Sequence, residues 1–181
     1  MESNPPHRAT TRTVSNLRIR RGKTEDWKSI FQIQKSPEFV RYTGYSSPPS
    51  EQRVREKWEK RLSEPLFHTL VAETDDSKEV VGYVRLKQGD GKASHVGEVS
   101  ILAVRADWQR KGIGMQLMRA ILDLADNSLA LKRLRLTLHA DNEAAIRLYE
   151  RLGFGMEGRE RKAAHKDGIY IDILIMGRVR D

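Results

Sequence analysis

Near the middle of the chain the spacing of apolar residues changes abruptly. Val99 to Val104 is an almost unbroken apolar run, whereas after Gly112 the apolar residues Ile113, Leu117, Ile121 and Ala125 recur every four positions, with Met118 and Leu122 beside them. The first pattern predicts a strand. The second predicts a helix with one apolar side, beginning inside or just after the glycine turn Gly112-Ile113-Gly114. Upstream, LRIRR from Leu17 alternates as a first strand should. Thr24 is placed to cap a short helix carrying Glu25 and Asp26 in its first turn, with Trp27, Ile30, Phe31 and Gln34 at helical spacing, ending before Pro37. PEFVRYTGYSSPP (37–49) is broken by prolines and glycine and predicts a loop. Its Phe39, Tyr42 and Tyr45 either line a pocket or cover the core.

Ser50 to Ser63 reads as a second helix with Val54, Trp58 and Leu62 on one side. Leu66–Glu73 and Val80–Lys87 form a predicted hairpin across TDDSKE. LRLTLH (134–139) alternates as a half-buried strand. Asp141 or Asn142 then caps a helix whose Ala145, Leu148, Tyr149 and Leu152 share a face, and Gly153 stops it. Phe154 opens a strand pair that closes with IYIDILIM. Strands outnumber helices and the helices are interspersed, which predicts a mixed-sheet α/β or α+β domain.

Composition narrows the chemistry. With 181 residues the chain fits one domain, expected over 17–181 behind a polar, flexible leader at 1–16. No run of about 18 apolar residues and no apolar signal core are present, so no membrane association and a cytoplasmic location are expected. The absence of cysteine excludes disulfides, thiolate metal sites and a cysteine nucleophile, and the five histidines show no paired ligand spacing, so no metal is expected. A net charge of +8 admits nucleic acid, a membrane surface or an anionic cofactor as partner. Acids are interleaved with the bases along the chain and no aromatic-rich basic stripe occurs, which argues against nucleic acid.

The glycine turn points to the anionic cofactor. A helix start offers free backbone N–H groups, glycine allows close approach, and Arg105, Arg110 and Lys111 flank the turn with only Asp107 nearby. A dinucleotide fingerprint would need glycine where Leu117 stands, and no Gly-Lys-Ser or Gly-Lys-Thr of a P-loop exists. Gln109-Arg110-Lys111-Gly112-Ile113-Gly114, set between strand and helix, instead resembles the Q/R-x-x-G-x-G/A signature of the GCN5-related N-acetyltransferases (GNAT). DNEAAIRLYERLGF (141–154) follows in the family's order. The likeness covers about Leu17 to Val179. Within the family it is nearest the bacterial enzymes that acetylate free amino acids, through SHV at 94–96, the DW-Q-RKG turn and the MEGRERKAAHKDGIYID tail.

The resemblance implies a GNAT fold: a mixed sheet of about seven strands, splayed between the fourth and fifth, flanked by about four helices. It implies acetyl-CoA as acetyl donor, held by Leu102, Ala103 and Val104 through main-chain atoms, by Gln109, Arg110, Lys111, Gly112, Ile113, Gly114 and Met115 at the pyrophosphate, and by Asn142. Tyr149 is the implied acid toward the departing thiolate. Glu98 is the implied base, with His95, His139 and Asp172 as competitors, and a main-chain N–H near Val104 would meet the oxyanion. The expected reaction is direct acetyl transfer, in a ternary complex, to the primary amine of a small molecule, an amino acid or analogue. A protein N-terminus, a polyamine or a noncatalytic acyl-CoA-binding role are the alternatives, and a homodimer is left open.

Overall fold

The computed structural model describes residues 17–180. The leader expected at 1–16 lies outside the described residues. Strands β1 (Leu17–Arg21), β2 (Phe67–Thr74), β3 (Val80–Gln88), β4 (Val96–Val104), β5 (Arg133–His139), β6 (Gly155–Lys166) and β7 (Ile169–Val179) form one sheet in the order β1-β2-β3-β4-β5-β7-β6. Neighbours are antiparallel except β4 and β5, which run parallel. Helices α1 (Trp27–Gln34), α2 (Pro37–Arg41), α3 (Glu51–Ser63), α4 (Ile113–Asp123) and α5 (Glu143–Arg151) cover the two faces.

The alternation along the central strands divides the core in two. Val84, Leu86 and Val99 face α4 and join Leu117, Met118, Ile121, Leu134, Leu136 and Tyr149. Tyr83 and Val71 face the other way, against Ile30 and Ile33 of α1 and Val54 and Trp58 of α3. Trp58 stands edge-on to Tyr83 at 5.8 Å between ring centroids, and its Nε1 donates to the Lys23 carbonyl at 2.9 Å. The predicted helical stripe of α4 is therefore the core stripe, with Ile113, Leu117, Met118, Ile121 and Leu122 all buried.

Two local expectations need correction. Thr24 does not cap α1: residues 24–26 make a single 3₁₀ turn, and it is the Asp26 carboxylate that accepts the Lys23 N–H at 2.7 Å. Asp26 is fixed there by Arg20, whose guanidinium also donates to Glu73. The stretch 37–49 is not wholly a loop. Ser36 Oγ accepts from Phe39 N at 3.2 Å and Pro37 occupies the first helical position, where its missing N–H costs nothing, so one short helix forms.

Candidate active site

The parallel pair supplies the decisive geometry. β4 and β5 are in register only at Val96 with Arg133, Gly97 with Leu134 and Glu98 with Arg135. Beyond that point β5 stays paired to β7 as far as His139, and β4 stays paired to β3 as far as Val104. Residues 99–104 of β4 thus face β5 across an opening, with unpaired main-chain groups on that edge. A bulge helps to part the strands. Leu86 opposes Val99 and Arg85 opposes Ile101, leaving Ser100 as the extra residue. It also shifts the pleat, so Glu98, Ile101 and Ala103 share the α1–α3 face while Val99, Leu102 and Val104 share the α4 face.

At the far end of β4 the chain turns through Ala106–Trp108 into α4. Gln109 Nε2 donates to the Val104 carbonyl at 3.1 Å and Lys111 Nζ to the Asp107 carbonyl at 2.9 Å, with Lys111 lying over the Trp108 ring. Arg110 and Gly112 have φ of 59° and 81°. Left-handed residues in a turn set successive N–H groups toward one point, the arrangement of an anion nest. Gly112 precedes α4, so the first-turn N–H groups of Ile113, Gly114 and Met115 have no intrahelical acceptor. A Cβ placed on Gly114 would stand 3.7 Å from Leu148 Cδ2 and 3.8 Å from Leu102 Cδ2, so turn, opened strand and α5 converge there. Arg105 is not part of this positive end. It pairs with Asp107 and with Glu79, a carboxylate that proximity along the sequence does not reveal.

α5 brings the second set. Asn142 caps it, its side-chain oxygen accepting from Ala145 N at 3.2 Å. Tyr149 is buried, edge-on to Phe154 at 5.8 Å, and burial pushes its phenol up to about 12. Among the described residues nothing hydrogen-bonds its hydroxyl.

The candidate bases fare differently. Glu98 sits where the strands part, but its carboxylate accepts from Arg135 Nη2 at 2.8 Å and from Nε at 3.1 Å. Asp172 is taken by Arg159 and by the Lys162 N–H. His95 is exposed just before β4. His139, at the end of β5, has a buried Nδ1 without a partner among the described residues, lies edge-on to Tyr42, and is lowered in pKa chiefly by burial and then by Lys166.

On the α1–α3 face, next to Glu98, Ser100 and Ile101, opens a cleft of about 760 Å³. Phe39 and Tyr45, from the stretch expected to be a loop, help to line it, together with Trp58, Phe67 and Arg85. Phe39, itself buried, and Tyr45 line the cleft, whereas Tyr42 lies against His139 instead. Sequence spacing had no signal for Arg85 or Phe67, which reach the cleft from β3 and β2 only once the sheet is assembled.

A family model described as the acetyltransferase (GNAT) family matches residues 27–154, from α1 to Phe154, with the opened strand, turn and α5 inside it. The chain belongs to the GNAT family. It is 34% identical over 169 residues to an L-amino acid N-acetyltransferase of Escherichia coli K12, covering 92% of this chain and all of that protein. A spermidine N(1)-acetyltransferase from the same organism is 25% identical over 149 residues, covering 81% of this chain and 76% of that one. Among solved structures, a GNAT phosphinothricin acetyltransferase from Sinorhizobium meliloti in complex with AcCoA superposes with a TM-score of 0.79 at 21% identity, over 91% of this chain and 88% of that chain. At that identity the likeness is one of fold. The seven-stranded order and the parting of β4 from β5 are the GNAT architecture that the family resemblance implied.

Proposed function

We propose that this GNAT chain transfers the acetyl group of acetyl-CoA directly to the primary amine of a small molecule, an amino acid or close analogue. The observation that carries the proposal is the opening between β4 and β5, bounded at one end by Glu98 and at the other by the free helix start of α4. The unpaired edge at Leu102, Ala103 and Val104 can bind an amide-bearing arm as a sheet binds an added strand. The N–H groups from Gln109 to Met115, with Arg110 and Lys111 beside them, hold the pyrophosphate. Asn142 fixes the start of α5 and reaches the cofactor with the amide nitrogen that its cap leaves unused.

An alkylammonium has a pKa near about 10, so the acceptor must lose a proton before it attacks. Glu98, on the cleft side of β4, is placed to take that proton, and its pairing with Arg135 makes a water-relayed transfer the natural route. A main-chain N–H near Val104 receives the negative charge that develops on the acyl oxygen. Tyr149 donates to the departing thiolate. Every residue in this scheme comes from one chain, so a homodimer is not required, and a reaction drawing on acetyl-CoA belongs in the cytoplasm. A second assignment of the base has its own support: the Nδ1 of His139, buried without a partner among the described residues, on a ring whose pKa is held below the ordinary histidine value by burial and then by Lys166.

One assay tests both levels. Thiol release from acetyl-CoA is expected to require an added amino acid, and its absence with every primary amine tried would end the proposal. Followed against pH, Glu98→Gln is expected to change the profile while His139→Gln leaves its shape intact. The opposite pattern moves the base to His139.

A further inference from the structure

Arg85 lies in the floor of the cleft, partly buried and without a counter-ion among the described residues. It stands opposite Ile101, the first residue past the bulge. Its Nε donates to the buried Thr69 hydroxyl at 3.1 Å, and its guanidinium carbon lies 5.5 Å from the Trp58 ring centroid and 5.9 Å from that of Tyr83. Among the described residues no carboxylate pairs with it and no acceptor meets either Nη. The acids nearest to it along the cleft are already committed, Glu64 to Arg61 and Glu98 to Arg135. Lys57 and Lys87 add two further cations to the lining against the single remaining acid, Asp90. Burial pulls the Arg85 pKa below the ordinary arginine value, which registers how much water the group has lost.

A guanidinium that gives up water is ordinarily compensated by a carboxylate in fork geometry. Here aromatic rings and one hydroxyl hold the fork in place, while the side that would meet the carboxylate is open to the cleft. We infer that Arg85 is the anion anchor of the acceptor subsite: it binds a carboxylate of the incoming amine, so the cleft selects amino acids and other acidic amines over polyamines. This inference rests on the acetyltransferase reading above and adds the charge of the acceptor to it. The carboxylate that Arg85 holds can be the α-group or one on a side chain. Both are the same chemistry to a guanidinium.

The experiment compares each acid with its uncharged twin. Thiol release is measured for a dicarboxylic amino acid, its α-carboxamide, its side-chain carboxamide and spermidine, with the full chain and with Arg85→Gln. Wild type is expected to prefer the acid over one of the two amides by about thirtyfold or more in kcat/KM, and to leave spermidine unused. The amide that fails identifies which carboxylate is anchored. Arg85→Gln is expected to bring that ratio within about threefold of one while binding acetyl-CoA as wild type does, because the cofactor contacts lie beyond Ile101. A charge-blind wild type, or a preference that survives in Arg85→Gln, overturns the anchor and leaves the acetyltransferase standing. Acetylation of none of the four overturns the acetyltransferase reading as well. Should Arg85→Gln not fold, Arg85→Lys keeps the charge, loses the fork and is read by the same ratio.

Discussion

Tyr149→Phe is expected to lower kcat about a hundredfold, the scale on which a positioned proton donor acts, with little change in the affinity for acetyl-CoA. The ring is buried against Phe154, and phenylalanine keeps that packing. Removing the hydroxyl breaks no hydrogen bond within the described residues, so the variant should fold as well as wild type. Burial raises the phenol to about 12, so the group stays protonated, and able to donate, across the whole working range. A descending limb in the rate below that pH therefore has another origin. Steady-state kinetics with both substrates varied separates the two effects. Wild-type turnover in Tyr149→Phe would remove the residue from the chemistry, and an equal loss in acetyl-CoA binding would make it a packing residue instead.

Arg20→Ala is expected to be the most destabilising of the simple substitutions. The guanidinium reaches Asp26 at 2.8 Å and Glu73 at 2.6 Å, and the side chains of the three are only 13%, 5% and 12% exposed. Truncating the cation leaves two carboxylates largely shielded from water and facing each other, a loss of about 3–5 kcal/mol. For a chain of this size that corresponds to a fall in Tm of roughly 6–20 °C. Asp26 also holds the Lys23 N–H at the entry to α1, and Lys23 in turn holds Trp58 through its carbonyl, so the damage should reach the wall of the cleft. Thermal melting reads the result directly. A shift within about 2 °C would mean that water replaces the guanidinium at little cost.

The central strands and the main helices could be read from apolar spacing because each has one face in the core and that face sets the period, whereas β6 has no buried position. Ile113, Leu117 and Ile121 are buried for the reason that their spacing predicts. Ser100 shows where such reading stops. Strict alternation places it with Glu98 at the cleft, as found, but would turn Ile101 to the other face; the bulge brings Ile101 to the cleft side as well, a feature that shows only once β3 and β4 are paired. Asp26 replaced Thr24 at the start of α1 because Arg20 and Glu73, far apart along the chain, meet it in space. The glycine turn and Tyr149 were singled out as candidates through their resemblance to a family, since phosphate-binding turns draw on few residue types. Arg85 was not: in VVGYVRLKQ it is one basic residue of an alternating strand, and only the assembled cleft shows that no carboxylate among the described residues pairs with it.

The central claim is that the opened end of β4 and the start of α4 form the seat of acetyl-CoA. Calorimetric titration of the full chain with acetyl-CoA tests it most directly. Saturable binding of one cofactor per chain, with Kd within about 1–100 μM as befits a substrate of ordinary KM, is the predicted result, and no heat of binding up to about 1 mM would contradict it.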